Sequence, residues 1–79
     1  MENKIRLVWD FRGNDALKTA EHQLIHLLEF MKNEEIPFYN DSTEKINDLY
    51  SVCTICINES NLDFVKNKLK PHRGFLAKQ

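Results

Sequence analysis

Leu17, Ala20, Leu24, Leu27, Leu28 and Met31 recur at spacings of three and four. That period belongs to an α-helix with a single apolar stripe, and it predicts a helix from about Asp15 to Asn33. The stripe needs a surface to cover, and the flanking residues supply one. Ile5, Leu7, Trp9 and Phe11 alternate with Lys4, Arg6, Val8 and Asp10, the period of a half-buried strand. Between strand and helix, "RGND" reads as a turn. Gly13 is free to take positive φ there, and Asn14 or Asp15 can cap the helix.

Downstream, "EEIPF" closes the helix and opens a second strand near Ile36 to Asn40, with Pro37 favouring a sheet edge. "DSTEKIND" reads as a polar connection. The β-branched and aromatic run from Leu49 to Asn58 predicts a third strand. Ser60, with Asp63 three residues on, has the spacing of a capping box for a second helix that buries Leu62, Val65 and Leu69. Pro71 stops that helix, and "RGFLAKQ" can add a short last strand. The order β-α-β-β-α, with a possible final β, predicts an α+β fold of the ferredoxin-like, split β-α-β kind. The chain reads as one domain, residues 1–79.

Composition excludes several functions. A net charge of -1 gives no long-range attraction for nucleic acid or an anionic membrane. No apolar run reaches the ~18 residues of a membrane span. The start, "MENKIRLVWDF", does not have the pattern of a signal peptide, so the expected location is cytoplasmic. Cys53 and Cys56 have C-x-x-C spacing, which invites a zinc or redox reading. On a strand, however, residues three apart point to opposite faces. The pair is therefore expected to be two apolar fillers.

His22 and His26 lie four apart on the first helix, opposite its apolar stripe, and Glu29 is one turn from His26. A helical pair at this spacing can hold a metal ion from one side, so His22, His26 and Glu29 form one candidate site. The alternative is two solvated histidines. Phe30, near this face, hints at an interface without metal.

The expected topology assembles a second candidate. The first strand ends, and the second helix finishes, at the same end of the domain. "DFRGND" and "KPHRG" are then neighbours, which gathers Arg12, Gly13, Asn14, Lys70, His72 and Arg73 beside the start of the first helix. Backbone N–H groups and the dipole of a helix start attract anions, and arginine forks grip carboxylate or phosphate. The competing structural role pairs Asp10 and Asp15 with Arg12 and Arg73.

The segment "LVWDFRGNDALKTAEHQLIHLLEF" resembles the opening of an ACT domain, with Asp10 and Gly13 at matching places. The resemblance covers about one third of the chain and implies the β-α-β-β-α-β order with effectors bound between subunits. "NDA" after the glycine departs from that family's apolar residue, and no binding residues are carried over. Two other small ferredoxin-like types fit less well. Acylphosphatases need a glycine-rich anion loop, and "RGND" has one glycine. RNA binders stack bases on paired aromatics in central strands, where only Tyr50 is available.

On the third strand, Leu49, Cys53, Ile55 and Ile57 are expected to face the helices. Tyr50, Val52, Thr54 and Cys56 then join Val8 on the open sheet face. An exposed apolar patch of that kind usually marks a contact surface, and a chain this small gains from a partner. The expected function is a non-catalytic binding or assembly module, homodimeric through the open face, that takes a small anionic ligand. Metal binding at the histidine pair and a small anion-processing enzyme are the alternatives.

Overall fold

The computed structural model describes residues 3–77. The α+β chain forms a four-stranded antiparallel sheet and two helices in the order β1 (Lys4–Arg12), α1 (Ala16–Asn33), β2 (Phe38–Asn47), β3 (Tyr50–Asn58), α2 (Leu62–Leu69) and β4 (Arg73–Ala77). The strands lie β2-β3-β1-β4 across the sheet. The sequence reading of Met1 and Glu2, and the last two residues of "RGFLAKQ", fall outside the described residues.

The helical stripe is realised from Ala20 onward. Ala16, Ala20, Leu27 and Met31 of α1 are buried, and Leu24 and Leu28 pack against the core from partly buried positions. They meet Ile5, Leu7 and Trp9 of β1, Cys53, Ile55 and Ile57 of β3, and Val65 of α2. At the start of the helix Leu17 stays half-buried, outside the core cluster. The end of α1 is a Schellman-type turn. Ile36 N donates to Met31 O at 2.8 Å and Glu35 N to Lys32 O at 3.2 Å, with Glu35 at φ 55°. Gly13, at φ 113°, turns β1 into α1 while its N–H donates to Leu49 O. A side chain at that φ would be strained.

Several expected boundaries change. "DSTEKIND" is not a loop: most of it is strand β2, which pairs with β3 as a hairpin. Its residues are mostly polar, Ile46 apart, and in β2 only Phe38 and Thr43 are even half-buried. Leu49 does not face the helices. It sits in the hairpin turn at 55% exposure, because β3 begins one residue later, and Ser51 takes the buried place on the helix side. A 3₁₀ turn, Glu59–Asn61, precedes α2. Ser60 therefore lies ahead of the helix, and Asn61 occupies its N-cap position. The final strand does form, and Lys70 at φ 49° ends α2 before it.

The open face of the sheet is read from the register. Across it run the rows Phe75–Arg6–Cys56–Tyr39 and Arg73–Val8–Thr54–Ser42, then Asp10–Val52–Glu44 and Arg12–Tyr50–Asn47. Val8, Val52 and Cys56 are already buried within the single chain. Their neighbours in these rows are mostly long: Arg73 beside Val8, Asp10 and Glu44 beside Val52, and Arg6 and Tyr39 beside Cys56. Such stems cover apolar ground while their charged heads stay in water, and Lys4 and Arg12 lie over the Tyr39 and Tyr50 rings. The apolar patch expected on this face is thus covered by the chain's own side chains.

Candidate functional site

Asp10 is the centre of a polar cluster at the Arg12 end of the open face. It stands on β1 between core residues Trp9 and Phe11, so strand alternation aims its carboxylate away from the helices. Arg73, the first residue of β4, grips it with two bonds, Nε to Oδ2 at 3.0 Å and Nη2 to Oδ1 at 2.7 Å. Tyr50 donates its hydroxyl to Oδ1 at 2.5 Å, and Arg73 Nη2 donates to that same hydroxyl oxygen at 3.2 Å. The Arg12 guanidinium lies 4.3 Å from the centre of the Tyr50 ring.

His72 closes the other side. Its backbone N–H donates to Val8 O at 2.9 Å, and its Nδ1 accepts the backbone N–H of Asp10 at 2.8 Å. Nδ1 therefore carries no proton in this arrangement, and the neutral ring holds its proton on Nε2. The ring tilts against Phe11 at 6.3 Å between centroids.

These contacts set the charge states. Burial works against the Asp10 carboxylate, but the hydrogen bonds from Tyr50 and Arg73, with the charge of Arg73, outweigh it and hold its pKa below the usual value. The hydrogen bond to Asp10 pushes the Tyr50 phenol up and likewise raises Arg73. Asp10 is thus a fixed anion.

Of the residues expected near an anion, Arg12, His72 and Arg73 are brought together, around Asp10 and Tyr50. Gly13 and Asn14 are not part of this group. Gly13 bonds the β2–β3 turn. Asn14 lines a separate surface depression of about 300 Å³ at the start of α1, shared with Asp15, Glu21, Asp48, Lys18 and Lys45. Three acids and two lysines there give no excess of positive charge. Lys70 serves at the end of α2. The expected ion pairing is realised for Asp10 with Arg73; no bond between Asp15 and either arginine forms. Tyr50 was not singled out by sequence as a site residue. Its signal lies in the register, which sets it beside Arg12 on β1, and register is invisible before the strands are paired.

His22, His26 and Glu29 lie on the exposed face of α1, as the helical wheel predicts. His26 Nδ1 is 3.7 Å from Glu29 Oε1, and His22 borders a shallow depression with Asp15, Lys18 and Thr19. Among the described residues no three histidine, cysteine or acidic side chains converge to hold a metal ion. Phe30 stacks on Phe64 of α2 at 5.9 Å. Cys53 and Cys56 are free and buried, on opposite faces: Cys53 beside Trp9, Cys56 beside Arg6. Burial pushes the Cys53 thiol up to about 12, which leaves it protonated and unreactive at neutral pH.

No protein-family model, curated protein or solved structure matches the chain. No described helix is long and apolar enough to cross a membrane.

Proposed function

We propose that the chain is a small non-catalytic binding and assembly module of ferredoxin-like topology, homodimeric, that takes a small anion at the Arg12 end of its open sheet face. The fold reading is supported by the β-α-β-β-α-β order together with strand order β2-β3-β1-β4, the arrangement of the split β-α-β motif.

The observation that carries the anion reading is Arg12. Its exposed guanidinium rests on the Tyr50 ring and meets no carboxylate among the described residues, whereas the fork of Arg73 is occupied by Asp10. Two guanidiniums against one carboxylate leave a net positive charge at this end of the open face. An oxyanion, carboxylate or phosphate, suits the exposed edge of such a planar guanidinium. Relative to the sequence expectation, the anion moves from the start of α1 to the sheet face, because the acids around Asn14 oppose it there.

Thermal melts in inorganic phosphate test the reading. Millimolar phosphate is expected to raise the melting temperature of the unmutated protein, and Arg12→Ala to abolish that rise while leaving the Asp10–Arg73 pair intact. An unmutated protein indifferent to phosphate, or an Arg12→Ala protein that responds equally, refutes it.

A further inference from the structure

The two outer strands of the sheet are built differently. In β2 the register with β3 shifts twice, between Tyr39 and Ser42 and between Lys45 and Asn47, and Asn40 adopts φ 51°. Asp41, Glu44 and Lys45 add charge along it. Bulges and charges of this kind prevent a further strand from pairing. β4 carries no such device. It pairs with β1 in unbroken register from Val8↔Arg73 to Lys4↔Ala77. Beyond Arg73 its residues are Gly74, Phe75, Leu76 and Ala77, all uncharged. Phe75 is 49% and Leu76 65% exposed, one on each face of the sheet.

The helix side of β4 is also uncovered. α2 has eight residues and buries only Val65. Between it and β4 an open groove of about 360 Å³ remains, floored by Ile5, Leu7 and Leu62 and rimmed by Leu76.

We infer that β4 is the edge on which a second copy of this chain pairs, antiparallel and two-fold, to join two four-stranded sheets into one. The inference rests on the homodimer reading above and names its surface. The strand is complementary to itself. A two-fold axis at Phe75 sets Leu76 opposite Gly74 of the partner subunit, so the large side chain meets the residue without one. A Cβ at Gly74 would already lie 3.6 Å from Leu7 Cδ2, so Leu76 of one copy extends the apolar row Gly74–Leu7–Ile55 of the other. On the open face the two Phe75 rings meet at the axis. The same register places Arg73 opposite Ala77, so the one charged residue of the strand does not face its own symmetry mate, and Asp10 already neutralises it. An isologous interface requires such pairing of a patch with itself.

Sedimentation velocity on the full chain, with two variants, tests the surface. The unmutated protein is expected to sediment as a dimer. Leu76→Glu should sediment as a monomer with an unchanged far-UV spectrum, since Leu76 contributes little to the single chain. Phe75→Cys should be captured as a covalent dimer by a short bismaleimide, while the unmutated protein, with both native cysteines buried, should not. A dimer that persists in Leu76→Glu, or a Phe75→Cys protein that is never cross-linked, overturns the β4 interface and leaves the homodimer standing. A monomer at every concentration overturns both.

Discussion

Asp10 collects a phenol from β3, a guanidinium from β4 and, through its backbone N–H, the imidazole of His72. It closes the β1–β4 seam at one end. Its carboxylate is mostly enclosed, with 19% of the side chain exposed, and hydrogen bonds to charged groups contribute about 1.5–3 kcal/mol. Asp10→Asn is therefore expected to lower stability by about 2 kcal/mol at neutral pH. The pH dependence has a definite sign. A carboxyl whose folded pKa is depressed contributes fully above its unfolded value of about 3.9. That contribution is lost as pH falls through the lower folded value. Urea melts from neutral to acid pH should show the unmutated protein losing its advantage over Asp10→Asn below about pH 4; parallel curves would exclude the role assigned to this carboxylate. The sequence makes the neighbourhood of Asp10, Arg12 and Arg73 legible from topology alone. It does not show which arginine takes the acid, because Asp10 and Arg73 are separated by 63 positions and only the strand register decides. The left-handed residues Glu35, Asn40 and Lys70 were hidden for a different reason: none is the glycine that usually marks such a position.

Among the elements, α1 was legible because its stripe is long and regular, whereas β2 was not. Past Phe38, β2 buries no side chain and only Thr43 is half-buried, so it has no apolar alternation to read, and two bulges break what pattern there is. The same features predict uneven protection. β1 and β3 are flanked on both sides and supply most of the core, so their amides should exchange only in global unfolding. Those between Asn40 and Asn47 should exchange through local opening. Hydrogen exchange followed residue by residue checks this, and equal protection of β2 and β3 would contradict it.

For the whole molecule, one face of the sheet is roofed by two helices of unequal size and the other is dressed by its own long side chains. Large apolar side chains are left exposed at the β4 edge (Phe75, Leu76), on the helices (Ile25, Phe64) and along the β2–β3 hairpin (Tyr39, Ile46, Leu49), and Leu76 is the most exposed of them. A core this small contributes only about 3–5 kcal/mol unaided, so association should register in stability itself. The melting temperature is expected to rise with protein concentration, as mass action requires of a folded dimer that unfolds to separate chains; a concentration-independent value would speak for a self-sufficient monomer. Trp9 adds a consequence that is optical. It is the chain's sole tryptophan, 3% exposed, and its indole N–H donates to Leu69 O at 3.1 Å, where α2 ends. The chain thus carries one indole, fixed at the joint between its shorter helix and the inner strand β1. A red shift in emission that precedes the loss of ellipticity would register α2 lifting from the sheet while the rest of the fold holds.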